Sequence, residues 1–309
     1  MIDTRRTALI AIDWGTTSAR AYRIDGAGAV FATRSAALGI QAIRDQRFVP
    51  ALDTLLGDWR DDAAPRIACG MIGSRQGWIE APYVACPVDL SGLGAVLTHT
   101  PAGELAIVPG VRCRNAAGIP DVMRGEETQL AGALTPDDGR LLAVLPGTHS
   151  KWAIVERGHL LEFATFMTGE LYAVLMEHSI LGRMADNGTG AAATDGLAFA
   201  RGIARGVAGD GLAHSIFGAR TLALADELAP AEVGEWLSGV LIGHEIAGAR
   251  VWAQERNAMV SPVRVIGDAT IVTRYLRAFG EAGMHADRGH ADAAANGLFR
   301  IAQRAGLIH

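Results

Sequence analysis

Residues Leu9–Gly26 read LIAIDWGTTSARAYRIDG: an apolar run closes on Asp13 and reverses at once through Gly15, Thr16, Thr17 and Ser18 into a second strand-like run. A glycine among hydroxyl residues at a tight turn concentrates backbone N–H and side-chain O–H donors, with no Cβ at Gly15 to block approach, which is what a phosphate oxygen requires. A carboxylate beside such a turn can take Mg²⁺ or its waters, because hard cations prefer oxygen ligands; Asp13 is that candidate metal ligand. The pattern returns at Leu141–Gly158, LLAVLPGTHSKWAIVERG, at a constant offset of 132 residues, with a second turn of Gly147, Thr148, His149, Ser150 and Lys151. The two copies differ at the polar ends: Leu145 stands where the first has Asp13, and Lys151 where the first has Ala19. Each copy reads as a β-hairpin opening one lobe, and two such turns on facing lobes would clamp a polyphosphate.

A second acidic feature lies between the repeats. VMRGEETQLAGALTP has helical spacing of Leu130, Ala131 and Leu134 up to Pro136, with Glu126 and Glu127 in the first turn. Acids there complement the helix dipole, and one of them within reach of a hydroxyl can also act as general base. ACGMIGSRQGWIEAPYVACP (Ala68–Pro87) reads as a short strand and a glycine-punctuated loop presenting Ser74, Arg75, Trp78 and Tyr83; such loops carry ligands more often than framework does. In FATFMTGELYAVLMEHSILG, Thr168 is placed to cap a helix with Glu170 in its first turn. SPVRVIGDATIVTRYLRAFGEAGM reads as strand, turn at Gly267–Asp268 and amphipathic helix, with Asp268 either capping that helix or meeting a ligand.

The elements that position these residues belong to a chain of 309 residues, half hydrophobic and one-fifth charged, with 38 glycines. That length predicts two domains; the expected division is 1–138 and 139–309, and the chain is expected to be an α/β protein with a cleft between its lobes. A net charge of −5 offers no basic field for nucleic acid. The apolar run after Arg5-Arg6 stops at Asp13, too soon for a secretion signal, and no run reaches membrane-spanning length, so a cytoplasmic location is expected. Cys69, Cys86 and Cys113 form no CxxC and read as free thiols in a reducing compartment. Neither a Walker A sequence nor HExxH occurs. The apolar stretch EWLSGVLIGHEIAGARVW fits core or interface equally, so oligomeric state stays open.

These segments, with LPGTHSKW and WLSGVLIG, resemble the sugar-kinase branch of the actin, Hsp70 and hexokinase superfamily, and within it the 2-dehydro-3-deoxygalactonokinases. The resemblance implies a duplicated, ribonuclease H-like two-lobed fold and transfer of a phosphoryl group from MgATP to the 6-hydroxyl of a 2-keto-3-deoxy sugar acid. It implies that both turns cradle phosphates, that Asp13 organises Mg²⁺, and that Gly267 and Asp268 meet the adenosine. The base would be Glu127 or Glu126, where most relatives in the superfamily have Asp. Ser74, Arg75, Trp78, Tyr83 and Thr168 are the candidate contacts of the acid. A kinase for another acid such as 2-keto-3-deoxygluconate, a non-catalytic nucleotide sensor and a polyphosphate hydrolase remain alternatives.

Overall fold

The computed structural model describes residues 6–134, 136–185 and 196–308. Its first elements are β1 (Leu9–Trp14), β2 (Ala19–Ile24), β3 (Val30–Ala36), α1 (Phe48–Leu56) and β4 (Arg66–Cys69). Short strands β5 (Tyr83–Ala85), β6 (Val88–Asp89), β7 (Thr98–His99), β8 (Ala106–Ile107), β9 (Gly110–Arg114) and β10 (Pro120–Met123) lead to α2 (Glu126–Ala133). Then come β11 (Arg140–Leu145), β12 (Ser150–Glu156), β13 (His159–Phe166), α3 (Thr168–His178), α4 (Leu197–Val207) and α5 (Leu212–Leu224). The chain closes with α6 (Val233–Glu255), β14 (Val263–Val265), α7 (Ala269–Glu281), β15 (Ala286–Arg288) and α8 (Ala293–Arg304). The contacts divide it into two units: Met1–Gly139 with Val155–Phe163 and Gly289–His309, and Arg140–Ile154 with Ala164–Arg288.

The first unit is built on a six-stranded sheet in the order β3-β2-β1-β4-β8-β7, with β1 antiparallel to β2 and parallel to β4. Helices α1 and α8 both pack on this sheet, which explains why β1 is apolar at nearly every position instead of alternating. Ile10, Ile12 and Trp14 meet Phe48, Leu52 and Leu56 of α1 in one cluster, and the Trp14 and Phe48 rings sit edge to face at 6.3 Å. Beside it lies a three-stranded sheet, β10-β9-β5. Helix α2 crosses α8 where Gly132 faces the Ala293 carbonyl and Gly297 faces that of Thr128, an approach too close for any side chain. That crossing fixes the helix carrying the two glutamates.

In the second unit β14 pairs parallel with both β11 and β15, and β12 neighbours β11. The predicted second hairpin is therefore present, as is the first. Helix α6 is core: Trp236, Leu237, Val240 and Leu241 are buried with Leu181, Ala198 and Ala219. No described helix is long and apolar enough to cross a membrane.

Candidate active site

In the first unit, the turn between β1 and β2 is held from behind by the segment at Gly39. The carbonyls of Thr17, Gly15 and Thr16 accept from the N–H groups of Gly39, Ile40 and Gln41 at 3.1, 3.1 and 3.2 Å, and Gly15 N–H donates to the Ser18 carbonyl at 2.9 Å. With its acceptors occupied, the turn presents donors: Thr16, Thr17 and Ser18 are exposed, and among the described residues their N–H groups take part in no backbone hydrogen bond. Such a set of free N–H groups attracts an anion.

Asp13 lies at the root of this turn. Its carboxylate has one hydrogen-bond partner among the described residues, the Cys69 thiol at 3.9 Å. Burial pushes its pKa up, and the Arg20 charge opposes that rise. Among the described residues no three metal-ligating side chains cluster; Asp13 offers the one carboxylate at the root of this turn.

Cys69 links Asp13 to the helix start. Burial raises the thiol pKa, and the nearby charges of Asp13, Glu127 and then Glu126 raise it further, so these acids share one locality. Glu127 is fully buried. Gly125 N–H donates to both its oxygens, at 2.9 and 2.7 Å, and the Thr128 hydroxyl donates at 3.0 Å. Burial, then the neighbouring Glu126 charge, pushes its pKa up to about 7. Glu126 is half-buried, and its Oε2 turns back to accept from Arg124 N–H at 3.0 Å. This geometry depends on two glycines, Gly125 at φ 110° and Gly70 at φ 91°. A Cβ on Gly125 would lie 3.2 Å from Gly70 Cα, and one on Gly70 would lie 2.7 Å from the Trp14 carbonyl oxygen. Only glycine lets the helix start approach the end of β1 so closely.

The four loop residues predicted to meet the acid differ in their surroundings. Ser74 is buried, and its hydroxyl has no hydrogen-bond partner. Arg75 is on the surface, its side chain 82% exposed, paired with Glu80 at 3.7 Å. Trp78 is half-buried, stacks on Phe48 at 5.9 Å and packs against the core cluster. Tyr83 lies under the guanidinium of Arg124, which is centred 4.2 Å above its ring. Arg124 escaped the sequence reading although it stands inside MRGEE; a basic residue next to two acids reads as a surface ion pair, and only the fold shows it buried.

In the second unit, Gly147, Thr148 and His149 are exposed at the tip between β11 and β12, and their N–H groups are likewise absent from the backbone hydrogen bonds among the described residues. The start of α3 braces this turn. Glu170 N–H donates to the Thr148 carbonyl at 3.0 Å, and the Glu170 carboxylate pairs with the His149 ring. Ser150 and Lys151 are buried. The Ser150 hydroxyl meets that of Tyr275 at 3.0 Å, and Tyr275 donates to Glu245 at 2.7 Å, as does Trp152 Nε1 at 2.9 Å. Thr168 is the first residue of α3, not its cap; its side chain hydrogen-bonds Glu245, whose pKa burial raises. Glu245, an acid on the buried face of α6, thus ties β12, α3 and α7 together beneath the turn. Its only sequence signal is an acid at helical spacing among apolar residues.

The Gly267 Cα is adjacent to the same turn, since a Cβ there would lie 3.9 Å from the Pro146 carbonyl oxygen. Asp268 caps α7, accepting from Thr270 N–H at 2.9 Å. It also lines a cavity of about 410 Å³ with Phe199, Glu235, Thr270, Arg274 and Arg277. Arg274 is held by both oxygens of Glu235, at 3.2 and 3.1 Å, and lies over the Phe199 ring at 4.5 Å.

Comparison with known proteins bears on this arrangement. The family described as 2-keto-3-deoxy-galactonokinase matches residues 13–301. The chain is 34% identical over 272 residues to the 2-dehydro-3-deoxygalactonokinase of Escherichia coli (strain K12), covering 87% of this chain and 88% of that protein. It is 37% identical over 301 residues to a probable 2-dehydro-3-deoxygalactonokinase of Rhizobium meliloti (strain 1021), covering 96% of each. Among solved structures, a candidate 2-dehydro-3-deoxygalactonokinase from Sinorhizobium meliloti superposes with a TM-score of 0.84 at 36% identity, over 96% of this chain and 98% of the other. The ADPNP-bound activator of 2-hydroxyisocaproyl-CoA dehydratase from Clostridium difficile shares the fold alone, with a TM-score of 0.50 at 12% identity, over 96% and 93% of the two chains.

Proposed function

The chain belongs to the 2-keto-3-deoxy-galactonokinase family, and from that premise we propose how its residues divide the work of a kinase that phosphorylates 2-dehydro-3-deoxy-D-galactonate at the 6-hydroxyl with ATP, a step of galactonate catabolism. The observation that carries the division is the cluster of Asp13, Cys69 and Glu127 at the end of β1. Phosphoryl transfer asks chiefly for positioning and charge neutralisation, and each part of the candidate site supplies one of these.

The N–H groups of Thr16–Ser18 and of Gly147–His149 hold phosphate oxygens. The cavity at Asp268 takes the adenosine end, its 410 Å³ being within the range of small-molecule pockets. Mg²⁺ bound to the phosphates would neutralise charge developing on their oxygens, and Asp13 would hold that ion. Glu127 accepts the proton of the sugar hydroxyl. A carboxylate whose pKa lies at about 7 is close to the ideal for a base working near neutral pH. One observation favours Glu126 in that role instead, its partial exposure; Glu126 is otherwise engaged with Arg124 N–H.

The test is ADP release by the purified chain with MgATP and a panel of 2-dehydro-3-deoxy-D-galactonate, its gluconate epimer, galactonate and no sugar. Release with the first compound, lost in Glu127→Gln and retained in Glu126→Gln, supports the division. The reverse pattern transfers the base to Glu126. ATP hydrolysis of equal rate without any sugar contradicts the kinase reading.

A further inference from the structure

Arg124 and Ser74 are an unexplained pair. Arg124 is 8% exposed and Ser74 6%. The guanidinium Nη2 donates to the Ala81 carbonyl at 2.7 Å and Nε to the Tyr83 hydroxyl at 3.4 Å. Nη1 and the Ser74 hydroxyl have no hydrogen-bond partner. Nη1 lies against Gly73, where an added Cβ would stand 3.0 Å from it, so one unused donor abuts Gly73 and the other belongs to the next residue of the same loop. Among the described residues Arg124 forms no ion pair. A guanidinium taken out of water without a counter-charge is costly, and a fold keeps one there when an anion completes it.

Deepening the kinase reading, on which it rests, we infer that Arg124 and Ser74 hold the C1 carboxylate of the sugar acid and thereby select an acid over a neutral sugar. Arginine suits a carboxylate because its fixed fork of donors matches two oxygens, and a hydroxyl beside it supplies a further donor. The Tyr83 ring under the guanidinium and the Ala81 carbonyl fix its plane, so little freedom is lost on binding. Placement agrees with the chemistry. Arg124 directly precedes Gly125 and the two glutamates, and the loop from Gly70 to Ser74 runs from Asp13 to the guanidinium. One end of the loop therefore adjoins the proposed base and metal ligand, the other the carboxylate anchor. Arg75, exposed and paired with Glu80, is replaced in that role by Arg124.

The test compares the wild-type chain with Arg124→Met and Ser74→Ala by calorimetric titration and by steady-state kinetics. The ligands are 2-dehydro-3-deoxy-D-galactonate and the 3-deoxy-2-ketohexose in which CH₂OH replaces its carboxylate. Loss of a charged hydrogen bond predicts acid binding about 30-fold weaker or more in Arg124→Met and about 5-fold weaker or more in Ser74→Ala, with ketose binding and KM for ATP within about 3-fold of wild type. Ser74→Ala removes a hydroxyl that bonds to nothing, so its melting temperature stays at the wild-type value, separating this role from a structural one. Wild-type affinity and KM for the acid in both variants, or equal loss of acid and ketose, overturns the inference while leaving the kinase reading intact. A wild-type chain that binds ATP but neither binds nor phosphorylates the acid overturns both.

Discussion

Replacing Glu127 with glutamine tests its chemistry and its electrostatics at once. The carboxyl is fully buried and its pKa stands at about 7 against an ordinary 4.5. At 1.36 kcal/mol per pH unit, folding disfavours the charged form by roughly 3 kcal/mol above pH 7. The sign follows from the raised value: the group's contribution to stability is fully present below pH 4.5 and is lost as pH rises through 7. Between pH 8 and pH 6 the wild type should gain about 1.4 kcal/mol that Glu127→Gln does not, a difference in melting temperature of about 2–4 °C. Glutamine keeps the side-chain volume and one acceptor for Gly125 N–H, so the variant should fold and at pH 8 be at least as stable as wild type. Its kcat should fall by about 10²–10⁴, the usual contribution of a general base, and the wild-type decline of kcat below pH 7 should vanish with it. Scanning fluorimetry at the two pH values, with coupled ADP release across the range, reads all of these. A variant that keeps a tenth of the wild-type kcat, or a melting difference independent of pH, would refute the reasoning.

Three further changes probe the supports. Asp13→Asn should lower kcat/KM for MgATP by about 10² or more while leaving the melting temperature equal or higher, because burial already disfavours the Asp13 charge; activity against Mg²⁺ concentration checks it, and unchanged Mg²⁺ dependence counts against Asp13 as ligand. Gly125→Ala should cost about 1–3 kcal/mol, since φ is 110° there, and should reduce kcat by moving Glu127; urea denaturation with turnover measures both. Glu245→Ala leaves Trp152 Nε1 and the Tyr275 hydroxyl without their carboxylate partner, so about 3 kcal/mol or more of stability should be lost. Glu245→Gln, which retains an acceptor, should lose less in the same denaturation experiment.

The hairpins were legible because their signal is local. Both strands are apolar, the turn is short, and the repeat at an offset of 132 residues makes each copy evidence for the other. The helix at Glu126 was legible for the same reason, through periodicity and a glycine before it. What the sequence hid depends on distant packing. That Ser150 and Thr168 point into a buried network while Thr148 stays exposed is decided by Glu245 and Tyr275, roughly a hundred residues on in the chain. That Trp78 stacks on Phe48 of α1 while Arg75 pairs with Glu80 on the surface is likewise set by neighbours that the glycine-rich loop sequence does not reveal. Arg124 was missed because charge type alone says nothing about whether the surrounding strands close over it.

The central claim is transfer of the γ-phosphoryl group to a sugar-acid hydroxyl, and the product tests it most directly. The purified chain, incubated with MgATP and 2-dehydro-3-deoxy-D-galactonate, should yield ADP and one phosphomonoester in equal amounts, with phosphorus coupled to the C6 methylene protons in the NMR spectrum. Inorganic phosphate as the phosphorus product, or a phosphoryl group on any other oxygen, would contradict the account.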